Sequence, residues 1–313
     1  MARSVAIVGA GVAGLTCGVL FAERNRRTVI FAREIGTAST AAVAVWCPYD
    51  TGPVEKTIPW ALETYAVLHE LARDPGTGVS MIELRKFSRA GDMEIPEWVR
   101  SLGGGRVRSD IPAAFVSGFA VPVPLMDTTI YLDYLVQRFG AASGRLELNR
   151  RLGSLEEVDP RFDLVIHCAG IGARTLANDS DLEPHRGQVA LVEKLDLSGA
   201  IVSDDPPLMY AIPRRRDCVF GGTNETSANE AVDPAVTASL VAECSRVLEI
   251  AAPTVIGERV GLRPFRRSGV RVESGRLRDG RQVIHNYGHG GSGFTLSWGC
   301  AREVAGMGVE VDR

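Results

Sequence analysis

The first 34 residues change period twice. The β-branched run "SVAIV" reads as a strand, breaks at Gly9, Gly11 and Gly14, and continues as a helix with apolar Leu15, Val19, Leu20 and Ala22 before a second strand, Thr28 to Phe31. Residues 56–75 and 129–141 have the periodicity of amphipathic helices, the second with Ile130, Leu132, Tyr134, Leu135 and Phe139 on its apolar side. Between them, "GVSMIELRKFSR" and "SGFAVPVPLMD" read as strands. "RLELNRRLGSL" and "FDLVIHCAGIGARTL" read as a further strand pair. The second is continuously apolar, as in a strand buried on both faces, and is expected to return to the first sheet. "GQVALVE", "LMYAIP", "DCVFGGTNE" and "GVRVES" alternate as in an antiparallel sheet, interrupted by a helix near residues 234–250.

Composition narrows the partners. Hydrophobic residues make up 45% and charged residues 23% of 313 residues, the balance of a globular protein of about two domains. A formal net charge of −3 gives no electrostatic reason for a nucleic acid or an anionic membrane, and "RNRR", "LNRRL" and "PRRRD" read as solvated turns. The apolar start is interrupted by glycine and alanine, unlike a signal peptide, and no run is long enough to span a bilayer. Six cysteines without CxxC spacing suggest neither a zinc site nor a disulfide framework. The expectation is a reduced, cytoplasmic protein with no metal, and no peroxisomal tripeptide closes "GVEVDR".

The candidate chemistry starts at the first turn. In a strand–turn–helix–strand context, Gly9 permits the tight turn, Gly11 lets the backbone approach a pyrophosphate, and Gly14 lets the helix pack on the sheet. The helix N-terminus then offers unpaired N–H groups to phosphate. Glu34, 20 residues after Gly14, can accept from an adenosine ribose; Arg33 beside it can serve a phosphate, serve the ribose or face solvent. Ser39 and Thr40 can donate to phosphate or ribityl oxygens, while Ala41, Ala42 and Ala44 leave room for a flat ring. The motif predicts a dinucleotide without choosing between FAD and NAD(P). His167 reads as a core or edge histidine. Near the end, "VIHNYGHGGSGFTLSWGCA" places five glycines in one stretch, more than an ordinary turn requires.

Together, "GAGVAGLT", "WCPY", "VIHCAGIGARTL" with "RGQVALVE", "YAIP" with "FGGTNE", and "GLRPFR" with the terminal glycine stretch resemble the D-amino-acid oxidase family in order and spacing over nearly the whole chain. The resemblance implies an α/β fold with a Rossmann-like FAD-binding domain (1–46, 137–190 and 283–313). This is interleaved with an α+β substrate-binding domain on an antiparallel sheet (47–136 and 191–282). It implies noncovalent FAD and oxidative deamination of a D-amino acid, with O2 becoming hydrogen peroxide. The cofactor-binding residues it implies are Gly9, Gly11, Val12, Ala13, Gly14, Arg33, Glu34, Ser39, Thr40, Ala44, Val45, Trp46, Ala169 and Gly170, with Arg263, Gly290, Gly291, Ser292, Gly293, Phe294 and Thr295. Arg263 and Tyr210 match the carboxylate-binding pair, and Cys47, Tyr49 and Ser292 join them at the substrate.

Departures from the family pattern bear on the substrate. Pro206 and Pro207 stand where members with a long lid carry a further tyrosine, so a short or proline-stiffened lid is expected. Cys47 replaces a glutamine of better-known members. No additional arginine occupies "GGTNE", which favours neutral D-amino acids over D-aspartate. His285 and His289 receive no proton-transfer role, although His289 can contact the flavin edge. The competing readings are a glycine- or sarcosine-oxidase-like enzyme acting on a secondary amine and a non-catalytic FAD-binding protein. An NAD-dependent dehydrogenase leaves the terminal motif unexplained. A homodimer is the assembly held open.

Overall fold

The structure is a computed structural model and describes residues 4–49, 51–107 and 109–309. The terminal tripeptide discussed above lies outside the described residues. Strand β1 (Val5–Ala10) is almost wholly buried, as its apolar run requires, and leads into helix α1 (Val12–Glu23). Strand β2 (Thr28–Ile35) then pairs parallel with β1, completing the βαβ unit. Short α2 (Thr37–Ala41) precedes α3 (Val54–Leu71). The helix expected over 56–75 stops at Leu71. Asp74 caps a 3-10 turn over Pro75–Thr77 instead, its carboxylate accepting from the Gly76 N–H at 2.8 Å.

After β3 (Val79–Ser88) come α4 (Glu97–Ser101), β4 (Gly105–Arg106) and β5 (Ser117–Met126). Asp127 caps α5 (Thr128–Ala141) by accepting from the Thr129 N–H. Strands β6 (Arg145–Glu147) and β7 (Leu164–His167), helix α6 (Ala173–Leu176) and strand β8 (Leu182–Val192) follow. Next are β9 (Ala200–Ser203), β10 (Met209–Pro213), β11 (Cys218–Gly221) and β12 (Glu225–Thr226). Helix α7 (Pro234–Leu248) begins with the favourable combination of an Asp233 cap and Pro234 in its first turn. The chain closes with β13 (Val255–Arg266), β14 (Arg271–Arg276), β15 (Gln282–Tyr287) and α8 (Gly293–Val309).

Among the described residues the strands form two sheets. One has six strands in the order β14-β15-β7-β1-β2-β6; the other has nine, running β12-β8-β11-β10-β9-β3-β5-β4 with β13 on β8. Two expectations are corrected here. Strands β6 and β7 share a sheet without pairing, because β1 and β2 lie between them. The wholly buried "LVIH" of β7 belongs at the sheet's centre, whereas the more exposed "RLE" of β6 occupies its edge. Likewise "GVRVES" joins the six-stranded sheet through antiparallel pairing of β14 with β15, and not the larger one. Its alternation identified a strand but could not name the partner.

Helix α8 packs between α1 and α3. A side chain at Gly299 would strike the Trp60 backbone, which explains the last glycine of the terminal stretch as a close helix–helix approach. The Thr64 hydroxyl accepts from the Trp298 and Gly299 N–H groups, and the Trp298 indole donates to the Tyr131 hydroxyl at 2.8 Å. These bonds tie α8 to α3 and to Tyr131 of α5.

Candidate active site

A cavity of about 700 Å³ runs from the ends of β1, β2 and β7 to the face of the larger sheet. That volume lies in the upper part of the roughly 300–1,000 Å³ typical of small-molecule sites. At one end are Gly9, Gly11, Val12, Ala13, Arg33, Glu34, Ala169 and Gly170; at the other are Cys47, Tyr49, Tyr210 and Arg263.

The first end is made by close backbone approach. Gly9 has φ +110°, and a side chain at Gly14 would run into the Gly9 carbonyl, so Gly14 seats α1 beneath the turn and does not line the cavity. Gly11 provides no side-chain cap to α1, and the Ser39 hydroxyl accepts from the Val12 N–H at 3.1 Å. Arg33 and Glu34 pair with each other at the exposed rim, the Arg33 Nε donating to Glu34 at 2.7 Å. Thr40 turns away: its hydroxyl donates to the Gly36 carbonyl at 2.9 Å. Arg150 and Arg151, read above as solvated surface, line the same rim. They are exposed, and that is why charge clustering alone did not separate them from the other basic turns.

The glycine-rich turn lies on the other side. Gly290, Gly291, Gly293, Phe294 and Thr295 line the cavity, with Ala44 and Val45 opposite. Two hydroxyls of this segment hold the "WCPY" stretch by its backbone. Ser292 donates to the Tyr49 carbonyl at 2.7 Å and accepts from its N–H at 3.1 Å, and Thr295 does the same for Cys47 at 3.1 and 3.2 Å. Ser292 therefore differs from the expectation of substrate contact: it is wholly buried and its hydroxyl is engaged by Tyr49. Trp46 differs too. It is wholly buried away from the cavity, where its indole donates to the Ala61 carbonyl at 3.1 Å and its ring meets Tyr65 and Trp98 edge-on.

Register in the larger sheet aligns Val189, Gly221, Tyr210, Val202 and Lys86 across β8, β11, β10, β9 and β3. Residues so aligned share a face, and that face is the cavity wall. Side chains at Gly221 or Gly222 would collide with Tyr210, and one at Gly187 with the Arg263 guanidinium. These glycines make the space that both side chains fill. Arg263 Nη1 donates to the Thr223 carbonyl at 2.8 Å, with Asn224 Oδ1 at 3.4 Å and the Arg186 carbonyl at 3.5 Å. These bonds fall on one nitrogen, and Tyr210 lies beside the same guanidinium. Burial raises the Tyr210 phenol above its ordinary range despite the opposing effect of the adjacent Arg263, so its hydroxyl remains a donor. Asn224 donates to the Tyr49 hydroxyl at 3.4 Å.

Sequence reasoning missed Lys86 and Asp204, which form an ion pair on the cavity wall. Burial pushes the Cys47 thiol up to about 11, only partly opposed by Lys86, so Cys47 stays neutral. The β9–β10 connection, residues 204–208, is tied down: Asp205 accepts from the Ser88 hydroxyl at 2.9 Å and the Arg89 N–H at 2.6 Å, and Arg89 donates to the Pro207 carbonyl at 3.0 Å. Among the described residues no His, Cys, Asp or Glu group is arranged to hold a metal, and no helix is long and apolar enough to cross a membrane.

Three histidines tie stability to acid pH. His167 and His285, in register on β7 and β15, face each other through Nδ1 at 3.1 Å; burial, then positive neighbours, depress them to about 3 and about 4. Burial holds His289, on the cavity wall 3.1 Å from Asn286, at about 4. Below the unfolded value of about 6.5, protons bind preferentially to the unfolded chain. This stability is complete above pH 6.5 and is lost as pH falls towards 4, by about 1.4 kcal/mol per pH unit per histidine. Urea midpoints between pH 7 and 4.5 should follow that slope. His285→Asn should flatten it, and an unchanged slope would refute the assignment.

Comparison with known proteins agrees with this geometry. Residues 4–307 match the family model described as FAD dependent oxidoreductase. The chain is 39% identical to a D-amino-acid oxidase of Rubrobacter xylanophilus, covering 98% of this chain and 96% of that protein. It is 40% identical to one of Streptomyces coelicolor, covering 96% and 95%. Among solved structures, glycine oxidase from Bacillus cereus superimposes with a TM-score of 0.81 at 18% identity, covering 99% of this chain and 96% of the other; this likeness concerns the fold.

Proposed function

The chain belongs to the FAD-dependent oxidoreductase family of the D-amino-acid oxidases, and from that premise we propose that it oxidatively deaminates neutral D-amino acids. The observation that carries the reading is the Arg263–Tyr210 pair facing a cavity whose opposite end is a glycine turn before the N-terminus of α1. The residues fit FAD. Gly9, Gly11 and the start of α1 present backbone to a pyrophosphate, Arg33, Glu34, Arg150 and Arg151 surround the outer end, and Ala44, Val45 and the 290–295 turn would hold the flat ring.

Bound FAD supplies a two-electron acceptor that takes a hydride from the substrate α-carbon and passes the electrons to O2, giving hydrogen peroxide. The remaining product is an imino acid, which water hydrolyses to a keto acid and ammonia. Arg263 binds the α-carboxylate, its planar fork matching two oxygens. Tyr210, kept protonated, donates to the same carboxylate. With these two points fixed, the cavity wall decides which substituent of the α-carbon faces the ring, and that selects the D-form. Cys47 as a thiol and His289 as a neutral imidazole add no charge beside the substrate.

We read residues 1–46, 137–190 and 283–313 as the FAD-binding domain, with β14 added to it, and 47–136 with the rest of 191–282 as the substrate-binding domain. The composition of the two sheets supports this except at β8 (Leu182–Val192), which pairs in the nine-stranded sheet and so moves to the substrate-binding domain. A cytoplasmic location and homodimeric assembly complete the reading; sedimentation of the purified protein tests the latter.

The test is anaerobic mixing of the purified holoenzyme with D-alanine, D-proline, D-valine, D-aspartate, glycine and sarcosine in turn, following the visible spectrum. Bleaching by neutral D-amino acids and not by their L-forms is expected. Bleaching by sarcosine alone, or by none of them, would overturn the proposal.

A further inference from the structure

Lys86 and Asp204 are charged residues in a part of the cavity that neither dinucleotide binding nor carboxylate capture requires. Their side chains are only 19% and 32% exposed, and they are paired. Lys86 lies in register with Val202, which lies in register with Tyr210. With strands about 4.8 Å apart, Lys86 stands roughly 10 Å from Tyr210 at the backbone, with Val202 as an apolar floor between them. A substrate whose carboxylate is held by Arg263 and Tyr210 thus has a wall that is apolar near its α-carbon and ionic further along.

Resting on the D-amino-acid oxidation reading, we propose that the Lys86–Asp204 pair recognises the far end of the substrate side chain and selects a neutral carboxamide, as in D-asparagine or D-glutamine. A primary amide carries an acceptor and a donor side by side. Its carbonyl can accept from Lys86 Nζ while its N–H donates to the Asp204 carboxylate, and the ion pair stays neutral overall. A side-chain carboxylate would face Asp204, and an ammonium would face Lys86, each bringing like charges together in a partly buried place. An aliphatic end would take water from the pair and return no hydrogen bond. Burial favours a neutral lysine, but the charge and hydrogen bond of Asp204 oppose it, so Lys86 remains a cationic donor.

The test compares kcat/KM of the holoenzyme within sets of similar size: D-asparagine, D-aspartate and D-leucine; D-glutamine, D-glutamate, D-methionine and D-lysine. Wild type should prefer the amide of each set by about tenfold or more over its charged isostere. Removing either charge should swing the profile in opposite directions. Asp204→Asn should raise the D-glutamate to D-glutamine ratio about tenfold, and Lys86→Met should raise the D-lysine to D-glutamine ratio similarly. If a single variant fails to fold because it strands a charge, Lys86→Met/Asp204→Leu replaces the pair with apolar groups and should raise the D-methionine to D-glutamine ratio. A merely structural pair would not reverse a preference by sign. Wild type that turns over D-alanine but favours aliphatic or charged ends, or variants whose ratios stay within about twofold, would overturn this proposal alone. Wild type bleached by no D-amino acid would overturn the parent reading and this one with it.

Discussion

Arg263→Ala should bind FAD and lose on the order of a thousandfold in kcat/KM. The guanidinium is seated by the Thr223 carbonyl on one nitrogen and fills the space opened by Gly187, so it is positioned before substrate arrives. Removing it leaves the substrate carboxylate partly buried without its charged partner, a loss of about 3–5 kcal/mol or roughly 10²–10⁴-fold. Binding and turnover should both suffer, because the carboxylate anchors the α-carbon in the geometry from which the hydride leaves. Arg263→Lys should recover only part of the activity, since an ammonium offers a point charge where the fork offers two parallel bonds. Steady-state kinetics on the best D-amino acid, with flavin content measured on the same preparation, check this. An alanine variant with near-normal kcat/KM would remove Arg263 from the site.

Gly11→Val should give a folded protein that purifies without flavin. Gly11 has φ −77° and ψ −179°, extended backbone that valine adopts readily. A Cβ there would meet only the Ser39 hydroxyl, at 3.2 Å, so the fold can accept the side chain. The valine would nevertheless stand before the N-terminus of α1, where the pyrophosphate approaches. Overpacking that approach by about 3 kcal/mol weakens binding about a hundredfold. Gly14→Val would differ, because its side chain meets the Gly9 carbonyl and disrupts the seat of α1 itself. Absorbance at the flavin maximum relative to 280 nm, with far-UV circular dichroism for folding, separates the two variants. A fully yellow Gly11→Val protein would move the dinucleotide elsewhere.

The amino-acid sequence by itself determined the βαβ unit and its glycine turn, because these signals are complete within a few neighbouring residues. The strings around Tyr210 and Arg263 likewise pointed, by resemblance, to the pair proposed to hold the carboxylate, and both residues line the cavity. It could also say that "GVRVES" alternates and that "WCPY" carries chemistry. It could not say that β14 joins the six-stranded sheet, that Trp46 turns inward to Ala61, or that Ser292 is engaged by the Tyr49 backbone. Nor could it place Lys86 beside Asp204. Only the tertiary structure decided these matters. Alternation in a strand states that successive side chains take opposite faces, but the neighbour and the occupied face follow from register between segments distant in the chain. The row from Tyr210 through Val202 to Lys86 exists because β10, β9 and β3 pair in that register.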